Sequence, residues 1–513
     1  MLRAGATSSE VTHATLAEVR KARHVSMEPS LGQIAKIVFL MLENRSLDNV
    51  LGWLYHGEEL PPDRIRPAGS GSRFDGLSFA DRNYIDRMAF APSYGTHHKA
   101  QPLRQPRWNP NEWWRNVGNQ MYWDASGHDT ASRWSATPPM TGFARDYWAD
   151  YDRPDEVMGA YTSDQLPALY GLASSFAVSD RWFSSVPTET NPNRAFSLCG
   201  SSLGSVNNAD TDFYDLPTIF NVLARSSPRR SWGIFWQYDG WFDGDPVTDG
   251  QCFTVDVFPQ IGQARDRGEG VVGDYGAFLQ LLAGGDLPDF TYLEPFWGGG
   301  YGLPLGDDFI GLQGNDYHPP AWVGPAEYDL AALYNAIRES PHWDEMLFIV
   351  TFDEHGGTYD HVPPPRTLRP DDSPGRADFD FRRLGPRVPT LLVSPFVVPG
   401  TVFRAPSESR YDFDHTSFIA TVLTWAGIDP TTADMGLRVA NAPTFEHVLT
   451  TKPSPDAPRL VVPEEYRGLG GMKGLHNIDL PSGALPITEF RRLLGDATSP
   501  DDLRDRMRRR AAT

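Results

Sequence analysis

Residues 34–42 read Ile-Ala-Lys-Ile-Val-Phe-Leu-Met-Leu, an almost unbroken apolar run that stops abruptly at Glu43-Asn44-Arg45-Ser46. A short apolar run without alternation is how a strand buried on both faces of a parallel sheet reads. A second run, at 346–352, stops just as abruptly at Asp353-Glu354. Further strands are expected at 173–183, 231–236, 290–293 and 388–393, and helices at 216–225, 275–282, 326–339 and 416–425, with another beginning near Pro192. Strands alternating with helices predict an α/β chain whose central sheet is mostly parallel and covered by helices on both faces.

The chain divides on pattern into a polar lead-in at 1–33, a main catalytic domain at 34–450, and an extension at 451–513. That extension begins Pro-rich and ends in a basic helix. Residues 55–165 lack clear periodicity and are rich in Trp, Pro, Asn and His, which reads as a long insertion over the active face. The net charge of 46 − 66 = −20 argues against sequence-independent nucleic-acid binding. An acidic protein that handles phosphate must neutralise it locally, with a metal or a few cationic groups.

The two cysteines, Cys199 and Cys252, form no disulfide framework or zinc motif, and Cys199 reads as a buried free thiol. No stretch approaches the roughly 20 apolar residues that span a bilayer, so stable membrane insertion is not expected. Residues 1–24 hold no apolar run of signal-peptide length and no twin arginine, and the expectation from the sequence as it stands is cytoplasmic. Nothing in the sequence bears on the oligomeric state.

Polar groups that follow buried parallel strands stand where α/β sheets bind ligands. Glu43, Asn44, Asp353 and Glu354 would gather three carboxylates and an amide oxygen there. Such acids repel one another unless a cation lies between them. Their hard oxygens suit Mg²⁺, Mn²⁺, Ca²⁺ or Fe²⁺, while Zn²⁺ more often takes nitrogen or sulfur. A single strand-end acid would be read as a cap or a solvated group; two acid-bearing dipeptides after two buried strands favour the metal.

Thr190 stands just before a candidate helix, whose N-terminus offers free N–H groups to a phosphate. A threonine hydroxyl on a metal there could attack phosphorus, with Asn193 and Arg194 holding non-bridging oxygens. Read on its own, Thr188 or Thr190 is better explained as an N-cap. His128, His318, His361 and His415 fall in polar or element-start sequence and are candidate proton donors. The other histidines read as solvated.

At these residues the sequence resembles a known family. Glu43-Asn44-Arg45-Ser46-Leu47-Asp48 resembles its ENRSFD opening, and Thr190-Asn191-Pro192-Asn193-Arg194 its T-x-P-N-R segment. Asn315-Asp316-Tyr317-His318-Pro319 resembles its D-x-H-P segment, and residues 353–365 its DExxG-x-x-DHVPPP block. His415-Thr416-Ser417 resembles its HTS segment. The family is the phosphoesterase family of bacterial phosphatidylcholine-hydrolysing phospholipases C and acid phosphatases, which has an alkaline-phosphatase-like core.

The resemblance implies one divalent metal (Fe, Mn, Ca, Mg or Zn) held by Glu43, Asn44, Thr190, Asp353 and Glu354. It implies Thr190 as a nucleophile forming a covalent phospho-enzyme, and active-site histidines among His318, His128, His361 and His415. The substrate it implies is a phosphoester, either a phospholipid head group or a small phosphate ester. Some members of the family are exported, so the resemblance admits a periplasmic or secreted location beside the cytoplasmic expectation. Leu47 and Asn49 depart from the usual Phe and His. The leading expectation is a phosphodiesterase of phospholipase C type. The alternative is an acid phosphatase on small soluble monoesters. A non-catalytic metal-binding scaffold is a third reading, against which the complete motif set argues.

Overall fold

The computed structural model describes residues 31–95, 106–123, 134–237, 252–297, 302–305, 308–311, 314–454 and 457–467. Most of the 1–33 lead-in, His128 and the basic C-terminal helix expected from sequence lie outside the described residues. The central sheet is built from β1 (Lys36–Leu42), β2 (Ile65–Arg66), β3 (Ala177–Ser179), β4 (Trp232–Trp236), β5 (Val271–Asp274), β6 (Phe290–Glu294), β7 (Met346–Phe352), β8 (Thr390–Val393) and β9 (Thr401–Phe403). Their spatial order is β5-β4-β6-β1-β7-β8-β3-β9-β2. Only β8 runs antiparallel to its neighbours. The fold is therefore mixed α/β with a mostly parallel sheet.

β1 and β7 are apolar on both faces because both faces are covered. Phe39 stacks on Phe418 of the His415–Trp425 helix, with ring centroids 4.0 Å apart. Leu40 points to the opposite face. There it lines a small cavity with Ala326, Leu330 and Leu333 of the Gly324–Arg338 helix. Strands 1 and 7 pair in register from Lys36 opposite Met346 to Leu42 opposite Phe352. They end side by side, so Glu43-Asn44 and Asp353-Glu354 leave the same edge of the sheet as neighbours.

Some boundaries differ from expectation. Residues 173–183 are not one strand. Pro167–Ser175 is a helix with proline in its first turn, β3 follows, and Trp182–Phe183 pairs separately with Phe413–Asp414. A short apolar run does not separate helix from buried strand, and the break comes at Asp180, whose carboxylate is held by Arg404. The helix expected to begin near Pro192 spans Thr190–Cys199; a proline in the first turn costs no hydrogen bond. The helix expected at 216–225 shrinks to Ile219–Leu223, capped by Thr218. The aperiodic 55–165 stretch carries helices Trp114–Tyr122 and Phe143–Trp148, and an apolar cluster of its own around Val117, Met121, Phe143 and Tyr147.

Candidate functional site

Asn44 turns the chain just beyond β1 in the left-handed region, at φ 59°, which asparagine tolerates better than most residues. Its backbone N–H donates to Asp353 Oδ1 at 3.0 Å, tying the two strand ends together. Its side-chain Nδ2 donates to Glu112 Oε2 at 2.8 Å and to His318 Nε2 at 3.1 Å. Both amide hydrogens are thus engaged, and Oδ1 is buried without a hydrogen-bond partner. The turn needs Gly356, because a Cβ there would stand 2.0 Å from the Asn44 carbonyl oxygen.

Asp353 and Glu354 are completely buried. Asp353 Oδ1 also accepts the Glu354 N–H at 2.7 Å, while Oδ2 has no hydrogen bond and lies 3.4 Å from Arg194 Nε. Glu354 Oε2 accepts the Gly356 N–H at 2.7 Å, and its Oε1 is again buried and unpartnered. Burial, then the neighbouring Asp353, pushes the Glu43 carboxyl well above the usual range. Burial, followed by the charges of Glu112 and Asp353, does the same to Glu354. A buried cluster of this kind favours protons or a cation over bare carboxylates.

Thr190 opens the Thr190–Cys199 helix. Neither Thr188 nor Thr190 caps it. The N-cap is Glu189, without a side-chain cap bond, and the Thr188 hydroxyl donates to the Val206 carbonyl. Asn193 turns inward. Its Nδ2 donates to the Val186, Thr188 and Glu189 carbonyls, and its Oδ1 accepts the Val186 N–H at 3.0 Å. Its amide therefore shapes the loop that presents Thr190. Arg194, fully buried, reaches Asp353 and lies 3.5 Å from Glu43, and it donates to the Met41 and Leu42 carbonyls at 3.3 Å. The ring of Trp297 covers its guanidinium. Arg194 is thus the cation under the acids, its charge already shared between two of them. Thr190 is buried at the start of the helix that carries Arg194, and the preceding Glu189 raises the carboxyl of Glu112.

The histidines divide by partner. His318 donates from Nδ1 to the Pro319 carbonyl at 2.5 Å and receives Asn44 at Nε2, and burial holds its pKa down at about 4. That makes it a neutral acceptor that aims Asn44. His415 lies against the Asp353 carbonyl at 2.6 Å through Nε2 and accepts from Trp182 at Nδ1. It braces the backbone that carries the acid. His361 is held by Asp48, Asp75 and Arg387, not by the strand-end acids.

Glu112 is the site residue that sequence reasoning missed. It falls in the aperiodic insertion, flanked by Asn111 and Trp113, where no spacing marks it. Burial, then Glu189, raises its carboxyl to about 8.

The donor set fits a hard divalent cation. Asn44 Oδ1, Asp353 Oδ2 and Glu354 Oε1 are buried oxygens without hydrogen-bond partners, and such atoms are costly unless something binds them. Among the described residues, no three His, Cys, Asp or Glu side chains close into a ready-made shell. Glu43 and Asp353 both lie beside Arg194, at 3.5 and 3.4 Å.

A sequence model of the phosphoesterase family matches residues 34–428. The chain belongs to the phosphoesterase family. It is a hydrolase acting on phosphoric ester bonds. It is 32% identical over 454 residues to the non-specific phospholipase C5 of Arabidopsis thaliana, covering 85% of this chain and 78% of that one. It is 25% identical over 423 residues to phospholipase C A of Mycobacterium tuberculosis, covering 75% of this chain and 72% of that one. Among solved structures it overlaps a protein in the alkaline phosphatase superfamily from Vibrio parahaemolyticus, with a TM-score of 0.30 and 16% identity over 55% of this chain and 64% of that one. Among the described residues, no helix of this phosphoesterase is long and apolar enough to cross a membrane.

Proposed function

We propose that this phosphoesterase is a phospholipase C-type phosphodiesterase that uses Thr190 as its nucleophile and one divalent metal ion. The observation that carries the reading is the set of unpartnered buried oxygens on Asn44, Asp353 and Glu354, beside a helix that begins with Thr190. The relatives named phospholipase C support the diester class. Glu43, Asn44, Thr190, Asp353 and Glu354 would hold the ion. When bound, an ion of this class (Fe, Mn, Ca, Mg or Zn) neutralises the acids, polarises a phosphoryl oxygen and lowers the pKa of an adjacent hydroxyl.

The chain's own residues then divide the work. The Thr190 hydroxyl gives its proton to solvent, its oxygen attacks phosphorus, and the bond from phosphorus to one alcohol oxygen breaks. The departing alkoxide takes up a proton, and the phosphorus, still esterified to the second alcohol, stays on Thr190. Water then attacks that phosphorus, releasing the phosphomonoester and restoring the hydroxyl. His318 and His415 are engaged with Asn44, Pro319, Trp182 and the Asp353 backbone, and His361 with Asp48 and Asp75; His128, outside the described residues, is the donor to the leaving oxygen that the family resemblance implies. Asn193 fixes the loop before Thr190, and Arg194 holds Glu43 and Asp353 in place.

The test is acid quenching during turnover of bis-p-nitrophenyl phosphate, followed by peptide mass spectrometry. A phosphoryl adduct on Thr190, absent in Thr190→Ala, is the expected result. A Thr190→Ala enzyme with undiminished turnover ends the nucleophile assignment.

A further inference from the structure

The Asn44 amide has two hydrogens and one oxygen, and the structure fixes where each goes. One hydrogen points to His318 and the other to Glu112. With both N–H bonds directed, the oxygen has a single orientation left, and it is the atom that stays buried without a partner. His318 settles which end of the amide is which: its Nδ1–H is spent on the Pro319 carbonyl, so Nε2 is a bare acceptor and only the amide nitrogen can donate to it.

Glu112 is held at this spot by more than its own hydrogen bond. The segment before it lies on Gly357, where a Cβ would stand 2.6 Å from the Asn111 carbonyl oxygen and 2.7 Å from Pro110. Gln120 donates to that same carbonyl at 2.6 Å, the Asn111 side chain reaches Asp150 at 2.5 Å, and Tyr151 donates to the Asn109 carbonyl at 3.0 Å. Gln120 in turn takes His355 at 2.8 Å, which ties the insertion to the Asp353-Glu354 loop. The 109–112 segment is therefore fastened to the floor of the site from several sides, and Glu112 is its one carboxylate.

We propose that Glu112 is a positioning residue for Asn44: its carboxylate, together with His318, locks the amide so that Oδ1 faces the site and is available to a divalent ion. The long insertion thereby completes a site whose other members come from strand ends. This rests on the reading of Asn44 as a metal ligand. Glu112 acts through Asn44 as a hydrogen-bond acceptor, and outer partners of this kind commonly set metal affinity by about 10–100-fold.

The test uses the full-length protein stripped with a chelator and titrated with Mn²⁺ against a chelating dye. Turnover of bis-p-nitrophenyl phosphate is followed at low and at saturating Mn²⁺. Glu112→Ala is expected to weaken Mn²⁺ binding by about 10–100-fold and to recover most of its kcat when Mn²⁺ is saturating. Glu112→Gln, which keeps an acceptor oxygen, is expected to restore most of the affinity. Wild-type affinity in Glu112→Ala overturns the proposal. So does a folded Glu112→Gln that is as weak as Glu112→Ala, since charge and not the acceptor would then be what matters. Asn44→Ala separates the two readings. If it loses Mn²⁺ while Glu112→Ala does not, only the positioning role falls; if it binds Mn²⁺ normally, Asn44 is no ligand and both fall. Should Glu112→Ala melt below the assay temperature, Glu112→Asp, which withdraws the acceptor by one methylene, replaces it with the same expectation.

Discussion

Asp48 Oδ2 takes two hydrogen bonds from His361, one from the backbone N–H at 2.7 Å and one from ring Nδ1 at 2.6 Å. The other Asp48 oxygen meets Arg387 at 2.8 Å, and Arg387 also donates to Asp360 at 3.0 Å. Asp75 lies 3.3 Å from the far side of the ring. Burial disfavours charge on His361, but Asp48 and Asp75 outweigh burial and Arg387 and raise its pKa to about 10. A raised folded-state pKa gives stability that is complete below the unfolded value of about 6.5 and is lost as pH rises towards 10. His361→Gln is therefore expected to cost about 3 kcal/mol near pH 6, with a gap that narrows steadily up to about pH 10. Urea unfolding at both pH values checks this. An equal loss at both would mean that the ring is neutral throughout.

Gly356 is irreplaceable for a reason that can be measured. Its φ is +59°, and a Cβ would meet the Asn44 carbonyl oxygen and also the Asn44 Cβ, at 2.8 Å. Gly356→Ala is expected to cost about 1–3 kcal/mol for the left-handed backbone alone. Displacing Asn44 should also lower kcat/KM more than the stability loss explains. A variant with wild-type kcat/KM would show that Asn44 can shift without consequence.

The sheet was legible because buried parallel strands announce themselves. Residues 34–42 and 346–352 have no polar face, and the acids after them mark the strand ends. The family motifs fixed the order of the site residues along the chain. Three things escaped. The 173–183 run looked like a strand because short apolar runs carry no period long enough to separate helix from strand. The partners of Arg194 and Asn193 could not be read from side-chain chemistry alone: Arg194 reaches Glu43 and Asp353, and Asn193 bonds the loop before Thr190, both through contacts distant in sequence or through the turn itself. Glu112 was invisible because its position depends on contacts to Gly357, Gln120 and Asp150, far away in sequence.

Arg194 should matter most when no metal is present. It is the buried cation between Glu43 and Asp353. Removing one partner of a buried ion pair typically costs about 3–5 kcal/mol. Arg194→Met is expected to approach that loss in chelated protein and to recover part of it with saturating Mn²⁺. Thermal melts with and without Mn²⁺ check this. An Arg194→Met loss that is the same in both conditions would separate the arginine from the metal site.

The same residue bears on substrate. A phosphomonoester dianion needs more compensating charge than a diester monoanion, and the charge of Arg194 is already taken by two acids. Bis-p-nitrophenyl phosphate is therefore expected to be turned over faster than p-nitrophenyl phosphate at equal enzyme and metal. The opposite order would favour the phosphatase reading.

The acid cluster makes the metal-free protein sensitive to base. Glu43 and Glu354 have carboxyls raised well above the ordinary range, and Glu112 stands at about 8. An acid with a raised folded-state pKa keeps its proton in the fold after the unfolded chain has lost it. Stability then falls as pH climbs above the unfolded value, by roughly 1 kcal/mol per pH unit for each retained proton, until the folded pKa is passed. His318, held at about 4, pulls the other way, but only while the unfolded histidine titrates, below about pH 6.5. Between about pH 6.5 and 8 His361 also loses its contribution, with or without metal, so the part due to the acids is the difference between chelated and Mn²⁺-loaded protein. Chelated protein is expected to lose stability across that range, and Glu112→Gln to lose less, because it has no proton to retain. A bound divalent ion displaces those protons and should flatten the slope while raising the melting temperature. A chelated protein with the same pH slope as its Mn²⁺-loaded form would mean that the carboxylates of Glu43 and Glu354 do not face the ion.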